Sequence, residues 1–126
     1  METEAQIHDR VAHELHAREP LFHRPEFGTT RADFERMITA DFWEVGASGK
    51  KYSREFVLEA LALRLRSPVA ERNVVTDFAC RRLSRDTWLV TYQLEQDAGR
   101  LSRRSTIWRH VDASWQAIYH QGSLIS

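Results

Sequence analysis

In the first half of the chain, hydrophobic residues recur at helical spacing. Ile7, Val11 and Leu15 fall every four residues in a stretch that lacks Gly and Pro, the pattern of an amphipathic helix. Ser53 stands at an N-cap position before a strongly apolar run, which we expect to be the most buried helix and to close near Pro68. The three predicted helices cover residues 4–18, 31–39 and 54–65.

The second half alternates with a period of two, which is typical of β-strands. Short turn sequences separate the runs, and short turns place neighbouring strands antiparallel. An aromatic-rich run with a Gly-bounded turn at 41–52 predicts a small hairpin before the third helix. The order of elements indicates an α+β fold whose helices gather on one face of a curved antiparallel sheet. The predicted strands of the second half are 72–83, 87–96, 100–111 and 114–122.

The two faces of this sheet differ less in polarity than the faces of a sheet that packs on helices with one side and meets water with the other. We expect one face to meet the helices through Trp88, Val90, Tyr92 and Leu94. In the last strand, Trp115, Ala117 and Tyr119 share one face, whereas Gln116, Ile118 and His120 share the other. In a monomer, apolar side chains on the second face, such as Leu89 and Ile118, would be exposed to water. We therefore predict a homodimer formed through the sheet.

Length and composition limit the class of protein. The chain has 126 residues, 42% of them hydrophobic and 29% charged, which predicts one globular domain over 1–126. The net charge of +0 disfavours nucleic acid and anionic lipid as partners. The acidic start and the absence of a long apolar run predict a cytoplasmic protein without a membrane span. Cys80 stands alone, which rules out an internal disulfide and disfavours a thiolate zinc site.

Five segments together carry a resemblance to a known family: 41–55, 77–78, 90–92, 103–108 and 115–122. Taken in order, they resemble the domain-of-unknown-function 4440 group of the nuclear transport factor 2-like (SnoaL-like, ketosteroid-isomerase-like) superfamily. The resemblance implies an α+β cone, with a bent antiparallel sheet around the helices and a pocket at its wide end, commonly as a homodimer. It transfers no reaction, because this fold hosts many activities. The carboxylate, Tyr and Asp constellation of ketosteroid isomerases has no matching positions here.

Two residues are candidates for acid–base chemistry. Glu44 shares the face of Phe42 in its strand, so an inward Phe42 would bury the carboxylate and raise its pKa toward a general base. The alternative for Glu44 is a salt bridge with Arg104 or another strand arginine, or a rim position. His120 has the side chain suited to proton transfer near neutral pH, although a structural histidine bonded across the sheet or at a dimer interface is the alternative.

A pocket in this fold would take a small apolar or anionic ligand, because tryptophans and arginines are concentrated in the predicted strands. We expect no metal and no cofactor. Asp9, His13 and His16 fall on the polar side of the first helix, opposite its apolar stripe. Cys80 is expected to be an inert buried thiol. The predicted ligand-pocket residues are Trp43, Glu44, Tyr92, Arg104, Trp108 and His120.

Two functions from different classes remain open. The first is a small-molecule-binding or protein-interaction module that dimerises through its sheet. The second is a small cofactor-free enzyme of the isomerase or hydrolase type, with Glu44 as base and Tyr92 or His120 as the polarising donor. An enzyme requires at least two of these polar groups to converge on one ligand position.

Overall fold

A computed structural model describes residues 1–66 and 71–125. The helices are α1 (Glu4–Arg18), α2 (Arg31–Arg36) and α3 (Arg54–Leu65), with 3₁₀ turns at Pro25–Phe27 and Asp97–Gly99. The strands are β1 (Ile38–Val45), β2 (Lys51–Ser53), β3 (Val74–Ser84), β4 (Thr87–Gln96), β5 (Arg100–Val111) and β6 (Ser114–Leu124).

Side-chain caps start each helix where the sequence pattern places it. Thr3 and Gln6 form a capping box on α1, and the Ser53 hydroxyl accepts the Phe56 backbone N–H at the start of α3. α2 is shorter than the predicted 31–39, because the chain turns into β1 at Ile38. Closure of α3 near Pro68 lies outside the described residues.

The sheet has six strands in the order β2-β1-β6-β5-β4-β3 and is open, with β2 and β3 at its edges. The α+β fold class is as predicted, but the sheet is mixed, because β1 pairs with β6 in parallel. Short turns impose antiparallel pairing only on strands that are adjacent in sequence, whereas β1 and β6 are far apart in the chain. All other pairings are antiparallel.

The helices pack on one face of the sheet, called the inner face below. Trp88, Val90, Tyr92 and Leu94 are buried there, as the alternation predicts, and join the apolar stripes of α1 and α3 in one core. No helix within 1–66 and 71–125 has the length and hydropathy to cross a bilayer.

A β-bulge in β6 changes which side chains face inward. Ile107 pairs with Tyr119, whereas the next residue on β5, Trp108, pairs with Ala117, so Ile118 is the extra residue. Trp115 and His120 are therefore both buried on the inner face, while Tyr119 lies on the outer face. The prediction that Tyr119 shares a face with Trp115, and His120 does not, is wrong.

Candidate functional site

A cavity of about 240 Å³ lies between α3 and the inner face of the sheet, near β1 and β6. This volume is below the ~300–1,000 Å³ of common drug-sized sites, so the cavity suits a small molecule. Its apolar wall comes from the segment after α1 and from β2 and α3, through Leu21, Phe22, Tyr52, Phe56, Val57, Ala60 and Leu61. Its polar wall consists of His23, Glu44, Arg64, Arg104 and His120.

Neighbouring strands place three of the polar groups side by side. Glu44 on β1 is the direct partner of His120 on β6, and Arg104 on β5 is the partner of Gly122, two residues further along. A Cβ on Gly122 would lie 3.1 Å from Arg104 Nε and 3.2 Å from its Cδ. The absence of a side chain at Gly122 thus lets Arg104 lie across β6 toward Glu44 and His120.

His120 is only 5% exposed and is bonded across the sheet. Its Nδ1 lies 2.7 Å from Thr106 Oγ1. Burial is the main reason that the pKa of His120 falls to about 3, and the nearby Arg104 guanidinium and, when protonated, the His23 imidazole disfavour its charged form further. The imidazole is therefore neutral near pH 7, with one N–H and one lone pair.

Arg104 is bound by neutral side chains rather than by a carboxylate. Its Nε donates to Ser102 Oγ at 3.1 Å and its Nη2 to Gln96 Oε1 at 3.4 Å. Within residues 1–66 and 71–125, no carboxylate forms an ion pair with it. The pKa of Glu44 is raised by burial, although the charge of Arg104 opposes the rise.

A second polar cluster, around His23, also borders the cavity. His23 Nδ1 is 2.5 Å from Glu71 Oε2, and Arg64 Nη1 is 3.4 Å from His23 Nε2. Because Arg64 only donates, His23 Nε2 accepts and Nδ1 donates to Glu71. The pKa of His23 is lowered, mainly by its burial. This cluster adds the charge of Arg64 to the cavity wall.

The core beside the cavity contains a fully buried carboxylate, Glu19, which the sequence analysis missed. Its oxygens accept hydrogen bonds from the Tyr92 hydroxyl at 2.7 Å, the Trp108 indole at 2.9 Å and the Leu21 backbone N–H at 2.9 Å. Burial raises the pKa of Glu19, while these donors and the Thr106 hydroxyl oppose the rise. A signal was present, because Glu19 continues the four-residue stripe of Ile7, Val11 and Leu15.

The structure brings together Glu44, Arg104 and His120 from the predicted pocket set. Tyr92 and Trp108 are also on the inner face, but both donate to Glu19 rather than to this cavity. Trp43 lies on the outer face, with its ring centroid 4.5 Å from that of Tyr119, because it alternates with the inward Phe42 and Glu44. Trp43 is therefore away from the cavity.

The sequence analysis also missed the contributions of His23, Arg64 and the first turns of α3. Their spacing along the chain carries no motif, and only the packing of α3 over β1 and β6 brings them to one cavity. Cys80 is half-buried, and burial raises the pKa of its thiol to about 11. In the part of the chain that the structure describes, no group of His, Cys, Asp and Glu forms a metal-binding cluster.

Comparisons with known proteins identify the architecture. No protein-family model matches the chain, and no curated protein matches its sequence. Among solved structures, an NTF2-like family protein from Streptomyces avermitilis has a TM-score of 0.74 at 16% identity, with 94% of this chain and 98% of that chain covered.

Two further structures agree with the first. An NTF2-like protein from Cytophaga hutchinsonii has a TM-score of 0.68 at 20% identity, covering 99% of this chain and 100% of that one. A DUF3225 family protein of unknown function from Pectobacterium atrosepticum has a TM-score of 0.70 at 18% identity, covering 98% and 94%. The chain therefore has the NTF2-like, cystatin-like fold.

Proposed function

We propose that the protein binds a small amphipathic ligand with an apolar body and an anionic group, in the cavity between α3 and the sheet. The observation that carries this proposal is Arg104, a half-buried guanidinium that faces a largely apolar cavity without a carboxylate partner among the described residues. A desolvated charge is costly unless it is paired, and a ligand anion supplies the pair.

The charges of the cavity wall support an anion rather than a cation. Arg104 and Arg64 are positive, although Arg64 Nε also lies 4.0 Å from Glu71 Oε1. The lowered pKa values of His23 and His120 leave both imidazoles neutral. Glu44 is the only carboxylate on the described lining, and burial favours its neutral form. The aromatic and aliphatic side chains of β2 and α3 then bury the apolar body of the ligand.

Calorimetric titration with 3-phenylpropionate tests the proposal, with 3-phenyl-1-propanol as its neutral counterpart. We expect the acid to bind and the alcohol to bind at least about tenfold more weakly, as loss of a charged hydrogen bond predicts. Arg104→Gln should weaken the acid by a similar factor. Arg100→Gln, an exposed arginine on the same strand, is the matched control and should leave binding unchanged. Failure of the acid to bind, or equal binding by Arg104→Gln, would contradict the proposal.

A second function, acid–base catalysis, is favoured by one observation: Glu44 and His120 are direct cross-strand neighbours that line the same cavity. Glu44 would take a proton from a carbon next to a carbonyl and return it. Tyr92 is not the polarising donor in this arrangement, because its hydroxyl is engaged by Glu19. Exchange of the C3 protons of phenylpyruvate in D₂O, faster with the protein than with Glu44→Gln, would support it. Equal rates would exclude this reaction.

We propose further that two copies pair through the outer face of the sheet. Leu89, Ile107, Tyr119 and Trp43 are successive partners across β4, β5, β6 and β1, and they form a partly exposed apolar row, the outer stripe. A twofold axis would let the stripe cover itself and bury about 1,200 Å² or more in total.

Sedimentation at micromolar concentration measures the assembly. The expected mass is twice 14.8 kDa, and Ile107→Asp should give monomer. Leu63→Asp, at an exposed apolar residue of α3 away from the outer face, is the control and should remain a dimer. A mass of 14.8 kDa at all concentrations would reject the dimer.

The ordered segments that resemble the domain-of-unknown-function 4440 group also lead us to propose membership of that group.

A further inference from the structure

A second cavity, of about 360 Å³, lies next to the cavity of the candidate site, which is called the first cavity below. The surface that lines the second cavity is mostly apolar and includes Phe34 of α2 and Leu65 of α3. Both cavities have Phe22, His23 and Arg64 in their walls. These three side chains, called the partition below, therefore stand at the boundary between the two cavities.

The helix α3 runs along both cavities. One face of α3, from Phe56 to Arg64, lines the first cavity, and its last two residues, Arg64 and Leu65, line the second. At about 1.5 Å of rise per residue, the first stretch covers about 12 Å of helix. The cavities therefore follow one another along α3, and a chain-like molecule that lies against this helix would reach the partition and then the second cavity.

Phe22 is the fixed part of the partition. Its ring packs edge-on against the rings of Phe34 and Phe42, with centroid distances of 5.6 Å and 6.2 Å. Its backbone has a φ of 71°, a left-handed conformation that is strained for a bulky side chain. Residues held in strained conformations are concentrated at ligand sites, where the surrounding structure keeps them in place. The fold thus maintains an unfavourable backbone at the boundary between the cavities.

Arg64 is the loosely bound part of the partition. Its Nη1 lies 3.4 Å from His23 Nε2, and its Nη2 donates to the Phe22 carbonyl oxygen, also at 3.4 Å. Its Nε lies 4.0 Å from Glu71 Oε1. All three contacts are longer than the about 2.7–3.2 Å that is typical of N–H···O hydrogen bonds. The side chain is partly exposed, so it can turn toward water and stay solvated, and this movement would join the two cavities.

We propose that the two cavities form one site for a carboxylate with a long unbranched alkyl chain, that is, a medium-chain fatty acid such as dodecanoate. The carboxylate pairs with Arg104, the chain lies against α3, and its end passes Arg64 into the second cavity. A thin, flexible chain fits a passage between side chains better than a rigid ring does. The carboxylate of Glu71 in the wall of the second cavity opposes a second anionic group, so the far end of the ligand is uncharged. This inference rests on the proposed function, which supplies the partner of the carboxylate.

Calorimetric titration with octanoate and dodecanoate, both below the concentration at which they form micelles, tests the chain length. We expect dodecanoate to bind at least about tenfold more tightly, since each fully buried methylene contributes about fourfold in affinity. Arg104→Gln should weaken both acids by the same factor, because they share the carboxylate.

Substitutions in the second cavity test where the chain lies. Leu65→Trp narrows this cavity and should bring the affinity for dodecanoate close to that for octanoate, while octanoate binds as before. Leu63→Trp, at an exposed leucine of the same helix that lines neither cavity, is the matched control and should keep the preference. Thr29→Trp narrows the second cavity from another segment and decides the question if Leu65→Trp does not fold.

Equal affinities of the unaltered protein for octanoate and dodecanoate overturn the long-chain inference and leave the proposed function intact. A full preference for dodecanoate in both Leu65→Trp and Thr29→Trp shows that the chain lies elsewhere and also overturns it. Binding of neither acid overturns the inference as well, and the titration with 3-phenylpropionate then decides separately on the proposed function.

Discussion

Removal of the Tyr92 hydroxyl tests whether Glu19 is a buried anion held by its donors. Tyr92→Phe deletes the 2.7 Å hydrogen bond to Glu19 Oε1 and leaves the ring in the core. A hydrogen bond to a charged group contributes about 1.5–3 kcal/mol, and a neutral one about half as much. We therefore expect the free energy of unfolding to fall by about 2 kcal/mol at pH 8, measured by urea denaturation.

The effect should shrink at lower pH. Burial raises the pKa of Glu19 in the folded protein, so the folded state takes up this proton before the unfolded chain does, and stability from this group is lost as pH rises through the folded pKa. Loss of the Tyr92 donor raises that pKa further. As pH falls from 8 toward 5, the deficit of Tyr92→Phe should therefore shrink, toward about 1 kcal/mol where Glu19 is protonated, the value for a neutral bond.

The matched control is Tyr119→Phe, whose hydroxyl donates at 3.0 Å to the neutral Gln121. Its cost should be about 0.5 kcal/mol and the same at both pH values. If Tyr92→Phe cost no more than this control, or cost more at pH 5 than at pH 8, the description of Glu19 as a buried anion would be refuted.

Three further measurements test other parts of the site. Gly122→Ala places a Cβ 3.1 Å from Arg104 Nε, and the resulting displacement of Arg104 should weaken binding of 3-phenylpropionate. Unchanged affinity in calorimetry would show that the position of Arg104 does not depend on the missing side chain at Gly122. Burial raises the pKa of Glu44, so the unaltered protein should lose stability relative to Glu44→Gln as pH rises above the pKa of this group in the unfolded chain. Urea denaturation across pH 4–8 measures this difference in the free energy of unfolding, and a difference that changes with pH in the opposite direction would contradict the prediction. Burial raises the pKa of the Cys80 thiol to about 11, so a disulfide reagent at pH 8 should react at least about tenfold more slowly than with free cysteine; an equal rate would contradict the burial.

Local sequence determined the helices and most of the strands. Capping residues such as Thr3 and Ser53 satisfy backbone N–H groups within the first turn, and the turns between β3, β4, β5 and β6 join strands adjacent in the chain. The inward direction of Glu44 followed from its spacing to Phe42, because strand side chains alternate. These features depend on neighbours only a few residues away.

Tertiary structure alone decided how the site is assembled. The parallel pairing of β1 with β6 places Glu44 beside His120, although the two are far apart in sequence. The bulge at Ile118 turns His120 inward, and a one-residue shift of this kind reverses every later side chain while leaving the apolar pattern ambiguous.

Burial of Glu19 shows the same division. Its position at the end of the α1 stripe was readable in the sequence, but a charged residue is stable there only if donors surround it. Two of those donors come from distant strands: Tyr92 on β4 is 73 residues from Glu19, and Trp108 on β5 is 89 residues from it. Sequence spacing specified the elements, whereas long-range packing brought together the charges and hydrogen bonds, because only the folded chain removes water from between them.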